Sequence, residues 1–405
     1  MWYDLQLFLF VFVAHGVLLC SETTSSTETA PTPSQRNDTT LKAISVFLSP
    51  GRKTLTSHVT NYRCYIRYCN CFLDHVDCYW PQHRWRVIPR VPSITRHLRI
   101  RNANLQTLTR HTLFNLLHVQ LLSLALDWNN ITHVTADAFE DLLNLTSLTL
   151  RGNPIPGPAL RACFFSILNP SFSVLVLDNT RLASIPDDFF DGLANRKISR
   201  LTLDNNHITI FNNAAFAKFA SVQTLRLRNN RISELNLSSR AHIVKLVLDR
   251  NMITELPDFC LNKSTHETIE KPASAIENLT VLDLGQNEFH ELPKKKFLRD
   301  CLPDLQALYV RFCTRLKTLE NNFISDLPKI RTLRLLQLPS LVRYEPFAFN
   351  STTLEKLAII HNRKIDYHSI NVSEIFQRLP RLKVSNCISL NLTDTHGSCS
   401  RFYQI

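Results

Sequence analysis

The densest group of reactive side chains in this chain is Cys64, Cys69, Cys71 and Cys78, spaced C-x4-C-x-C-x6-C. Four thiols so close together can bind zinc or close into two disulfides, and in an oxidising compartment disulfides are the expected outcome. No other motif points to catalysis. The sequence has no His-Glu-x-x-His, no Gly-x-Ser-x-Gly and no phosphate-cradling loop among its seven glycines, and its fifteen histidines lack ligand spacing. We therefore expect a protein that is not an enzyme, with no catalytic, cofactor or metal site.

Two groups of side chains could bind a partner. Between Cys78 and Leu126 there is no Asp or Glu, yet Arg84, Arg86, Arg90, Arg96, Arg99, Arg101 and Arg110 all fall there. Arg96, Arg99 and Arg101 read as lying together on one strand face, and like charges at that density call for an anionic partner such as a heparan-sulfate-like polyanion. The second group is Tyr309, Arg311, Phe312, Arg331, Arg334 and Leu336. Exposed aromatics mixed with arginine are the residue types that anchor protein interfaces. Between the groups, Arg200, Arg226, Arg228, Lys245 and Arg250 share the chain with Asp178, Asp204 and Asp249 and should largely neutralise one another.

Several features point to export. Leu5 to Cys20 is a mostly apolar run too short for a comfortable membrane span, so residues 1–20 read as a cleaved signal peptide, although Asp4 replaces the usual basic start. No later stretch is long and apolar enough to span a bilayer. Nine Asn-x-Ser/Thr sequons occur, at Asn37, Asn130, Asn144, Asn236, Asn262, Asn278, Asn350, Asn371 and Asn391. A secreted, extracellular glycoprotein is expected, with residues 21–60 as a flexible segment, rich in Ser, Thr and Pro at its start.

What would position these side chains is a repeat. Leu-x-x-Leu-x-Leu-x-x-Asn-x-Leu recurs about eleven times over residues 93–380, mostly 24 to 27 residues apart. Clear copies are Leu121/Leu124/Leu126/Asn129/Ile131, Leu145/Leu148/Leu150/Asn153/Ile155 and Ile198/Leu201/Leu203/Asn206/Ile208, and three more run from Val222 to Phe289. Leu-x-Leu alternation makes a short strand with both leucines facing the stack. The Asn should turn inward and satisfy backbone groups of neighbouring turns. Cys313 and Cys387 stand at that Asn position and read as core thiols, while Cys163 and Cys399 have no assigned partner. One repeat is longer than its neighbours, with Lys263 to Ala275 as the inserted loop, and Cys260 and Cys301 on either side of it are candidates for a disulfide.

The cysteine cluster directly before this array resembles the N-terminal cap of extracellular leucine-rich-repeat proteins, a group that includes small proteoglycans, Slit-like proteins and Toll-like receptor ectodomains. The chain is similar to a Toll-like receptor ectodomain lacking transmembrane and signalling domains. That resemblance implies an α/β solenoid: a curved horseshoe with a parallel β-sheet on the concave face and short helices or turns on the convex face. It implies a cap over residues 61–92 with Cys64 paired to Cys71 and Cys69 to Cys78. At the other end the chain departs from many relatives: the paired-cysteine cap with its tryptophan motif is absent, and residues 381–405 read as an irregular C-terminal cap. It also implies a secreted recognition protein that binds a protein or microbial ligand on its concave face, as in innate immunity or cell adhesion. A homodimer is compatible with this reading. The alternative is an extracellular-matrix protein that binds sulfated glycosaminoglycans through the basic N-terminal region.

Overall fold

A computed structural model describes residues 65–79, 85–260, 274–293, 297–344, 347–360 and 377–382. They belong to one compact unit that begins at Thr60. The expected signal peptide, the whole linker, Cys64, Arg84, Cys387, Cys399 and the sequons at Asn37, Asn262, Asn371 and Asn391 lie outside the described residues, as does the C-terminal cap beyond residue 382. No helix among the described residues is long and apolar enough to cross a membrane.

The unit is a solenoid built on one sheet. Its strands are β1 (Cys69–Phe72), β2 (His75–Tyr79), β3 (His97–Arg101), β4 (Ser123–Asp127), β5 (Ser147–Thr149), β6 (Val174–Val176) and β7 (Arg200–Thr202). They continue as β8 (Ser221–Arg226), β9 (Ala241–Val247), β10 (Val281–Asp283), β11 (Ala307–Arg311), β12 (Thr332–Leu336) and β13 (Lys356–Ile360). Spatial order follows chain order, and every neighbouring pair is parallel except the β1–β2 hairpin. A parallel neighbour requires a crossover, which is why each turn needs about two dozen residues.

Period-two alternation decides which side chains enter the core. Leu124 and Leu126 of β4 are fully buried while Ala125 between them is half-buried, and the same holds for Leu148 and Leu150 around Thr149 in the next turn. Each such leucine stabilises the fold by roughly 2 kcal/mol relative to exposure. Registers match leucine to leucine along the array, as in Leu98 with Leu124 and Leu201 with Leu225. On the far side of the core, short helices over Arg110–Leu113, Gly157–Cys163 and Asn213–Phe216 alternate with turns. Their phenylalanines form a second buried row, with Phe164 to Phe190 at 6.0 Å and Phe190 to Phe216 at 5.7 Å.

The inward asparagines bind neighbouring turns together. Asn153 accepts from the backbone N–H groups of Asn129 and Ile131 through Oδ1, and its Nδ2 donates to the carbonyls of Leu126 and Leu150. Asn206, Asn230, Asn251 and Asn287 repeat this arrangement. Thr180 takes the place of the amide in one turn, donating to the carbonyl of Leu177. In another, the buried Cys313 thiol lies 3.7 Å from the carbonyl of Leu284, and burial pushes its pKa up to about 11. Cys163 is also a free, buried thiol.

At the N-terminal end, Cys69 and Cys78 face each other across the β1–β2 hairpin and are disulfide-bonded. Cys71 is disulfide-bonded as well. The hairpin's second strand pairs with β3, so the cap supplies the first strand of the array. Cys260 and Cys301 are joined across the long repeat, where Cys260 also bridges Ser274. The insertion is shorter than expected at its end: Ser274 and Ala275 are buried, and the Ala275 carbonyl accepts a hydrogen bond from Asn213.

Candidate functional site

The open face of the sheet carries the side chains that the leucine alternation turns away from the core. An arginine–aspartate ladder dominates it. Arg101 meets Asp77 at 3.0 Å, Arg99 meets Asp127 at 2.7 Å and Arg151 meets Asp178 at 3.0 Å. Further along, Arg226 meets Asp204 at 2.7 Å, Arg228 meets Asp249 at 3.0 Å and Arg311 meets Asp283 at 2.5 Å. In each pair the two partners come from neighbouring turns. Except for Asp77, the carboxylates are nearly buried while their arginines keep about 40% of their surface in solvent. Arginine suits this role because its fork reaches a carboxylate while its stem covers apolar surface. The ladder neutralises the middle of the face, and burial, opposed by Arg226, still holds the Asp204 carboxyl above the usual carboxylate range. Asp249 is raised for the same reason, with Arg228 opposing.

The basic N-terminal window is altered by this register. Asp77 and Asp127 stand immediately outside the acid-free stretch, yet pairing of β2, β3 and β4 sets them beside Arg101 and Arg99. Arg110 is also paired, with Asp141 at 2.5 Å. Arg96 does not share the outward face of Arg99 and Arg101: it precedes the strand, on the parity of Leu98, and is exposed. Arg86 and Arg90 are exposed too. The reading of one unneutralised strand of arginines is therefore corrected, because strands distant in sequence supply the counter-charges.

Near the other end the face changes character. Tyr309 of β11 lies beside Arg334 of β12, whose guanidinium is 5.1 Å from the ring centroid, and half-buried Leu336 and Ala358 follow. Two expected members sit elsewhere. Arg331 precedes β12 and pairs with Glu355 at 3.5 Å. Phe312 lies just past β11, at the sheet's edge, and is 44% exposed.

Phe312 belongs to a row that the sequence reading missed. The residue after each strand's outward pair adopts a left-handed backbone, at Asn102, Trp128, Gly152, Asn179, Asn205, Asn229, Arg250, Gln286, Phe312 and Gln337. That twist aims its N–H at the next turn, as Trp128 donates to Arg151 and Asn205 to Arg228. It also throws the side chain over the sheet's edge. Part of this row lines a trough of about 980 Å³ running from Trp128 to Arg250 and Met252. The available signal was the residue just before each inward Asn, which is often a second Asn, as in Asn205-Asn206 and Asn229-Asn230.

Of the sequons within the described residues, Asn130, Asn144, Asn236 and Asn278 are exposed and Asn350 is half-buried. None stands on the outward positions of the strands of the main sheet. That leaves the open face clear of their side chains.

A leucine-rich-repeat family model matches residues 95–155 and 170–232. Together with the parallel solenoid and its inward asparagines, that decides the class. The described residues form a leucine-rich-repeat solenoid. This leucine-rich-repeat chain is similar to lumican of Gallus gallus, 25% identical over 56% of the chain and 68% of lumican. It is also similar to tsukushi of Gallus gallus, at 27% identity over 70% of the chain and 73% of tsukushi. A solved structure of the Toll–Spatzle complex from Drosophila superposes with a TM-score of 0.46 at 19% identity, covering 72% of this leucine-rich-repeat chain and 41% of the other.

Proposed function

We propose that this chain is an extracellular recognition protein that captures a protein or microbial ligand on the open face of its sheet, in the manner of innate-immune or adhesion receptors. The observation that carries this reading is the change of surface at β11–β12. There the ion-pair ladder gives way to Tyr309, Arg334 and Leu336, with Phe312 exposed beside them. A paired arginine–aspartate ladder offers a partner little, since its charges are already satisfied. An aromatic ring stacked under a guanidinium offers apolar area together with donors, the combination found where interfaces concentrate their energy. Similarity to the extracellular-matrix proteins lumican and tsukushi supports the extracellular placement and a binding role.

Replacing Tyr309, Phe312 and Arg334 together with alanine tests the patch. The variant should lose capture of whatever secreted or microbial protein the wild-type glycosylated chain retains, with a loss of at least ~2 kcal/mol expected if these are the anchoring residues. Undiminished capture by the triple variant removes the patch from consideration.

A further inference from the structure

The trough at the sheet's edge is lined by surface of a different chemistry from the Tyr309 patch, and it reaches six successive turns of the solenoid. Trp128 stands at one end, 49% exposed. Its left-handed backbone, at φ 57°, is an uncommon setting for a bulky side chain. The indole is held flat by Gly152: a Cβ there would lie 2.3 to 2.8 Å from three atoms of its six-membered ring, so the missing side chain leaves room for the ring face. One face of the indole is thus backed by the next turn, and the ring keeps half its surface open.

Beyond Gly152 the same row continues as Asn179, Asn205 and Asn229, one per turn, with the Asn205 and Asn229 amides hydrogen-bonded at 2.8 Å. The left-handed backbone favours asparagine at these places, which accounts for the residue type. It does not account for the tryptophan. At the far end are Arg231 and Arg250, both exposed, and no carboxylate is paired with either among the described residues. The floor is balanced: Asp178, Asp204 and Asp249 are matched by Arg151, Arg226 and Arg228.

We propose that this trough binds an oligosaccharide with sparse negative charge, its rings stacking on Trp128 and crossing the asparagine amides, with a carboxylate meeting Arg231 and Arg250. Amides offer both donors and acceptors to hydroxyl groups, and an open indole face suits the C–H face of a sugar ring. From Trp128 to Arg250 the trough spans five strand steps, on the order of 24 Å at the usual spacing, room for several linked rings. An extended peptide is less suited, because every strand here is paired on both sides and no backbone edge is free for strand addition. A dense polyanion is less suited as well, since only Arg231 and Arg250, both at one end, bring positive charge that no carboxylate offsets.

The inference goes beyond protein capture at Tyr309 and uses different residues. Titration calorimetry of the glycosylated chain with a hyaluronan hexasaccharide, an N-acetylglucosamine hexamer and a heparin hexasaccharide tests it. Hyaluronan should bind most tightly of the three. Trp128→Ala should weaken it about tenfold, while Trp128→Phe, which keeps an aromatic face, should lose much less. The double variant Asn205→Ala/Asn229→Ala should weaken it also, and unfolding midpoints of all variants check that the fold is retained. Absence of binding by hyaluronan, binding unchanged in Trp128→Ala, or heparin as the strongest ligand would overturn the proposal. Loss of saccharide binding in the wild type with protein capture intact would leave the Tyr309 reading standing.

Discussion

Asp204 shows how the open face balances burial against pairing. Its carboxylate accepts from Nε and Nη2 of Arg226 at 2.9 and 2.7 Å and from the backbone N–H of Arg228 at 2.8 Å. Asp204→Ala strands these donors and should cost roughly 2–3 kcal/mol in denaturant unfolding, below the full value for a buried pair because Arg226 keeps solvent contact. Asp204→Asn keeps an acceptor and should cost less. Burial raises the folded pKa above the ordinary 3.8. The native state therefore binds this proton more tightly than the unfolded chain does, and the stabilisation is fully present below the unfolded value and lost as pH rises through the folded one. The deficit of Asp204→Asn relative to wild type should then be larger near the acid end of that window than at neutral pH. The opposite ordering would show that Arg226 outweighs burial.

At the scale of elements, each turn of the solenoid holds the next through the same three devices: leucine registers, inward amides and the phenylalanine row. The long repeat is where that regularity is interrupted, and there a disulfide joins Cys260 to Cys301. Closing a loop over a separation of 41 residues should restrict the unfolded chain by about 4 kcal/mol on a chain-entropy model. Cys260→Ser with Cys301→Ser should lower stability by up to that amount, measured by chemical denaturation. Little loss would show that packing of Ala275 and Ile276 already holds the two ends together. This bridge was legible from two cysteines on either side of an insertion. The extent of the insertion was not, because Ala275 is held by Phe259 from the start of the same repeat and by Asn213 from another turn.

At the scale of the whole molecule, the formal charge of +12 suggests polyanion binding more strongly than the folded surface supports. Arg99 and Arg101 are committed to Asp127 and Asp77. Replacing both arginines with glutamine should leave heparin retention nearly unchanged while lowering stability, whereas Arg86, Arg90 and Arg96 replaced together should account for most of any retention. A large drop in the salt needed to elute the Arg99/Arg101 variant would restore the strand-borne polyanion site. Sequence alone determined the solenoid, because Leu-x-Leu alternation and a recurring Asn are local signals whose physical meaning does not depend on distant residues. It also placed Tyr309 beside the Arg334 strand, since one repeat length separates them. What only the tertiary structure decided was which charges cancel and which side chains share the edge trough. Both follow from parallel register, which sets residues some 22 to 28 positions apart side by side, as with Asp204 and Arg226 or Arg99 and Asp127. They follow too from the left-handed twist after each strand, which carries Trp128 and Asn205 off the strand face onto the sheet's edge.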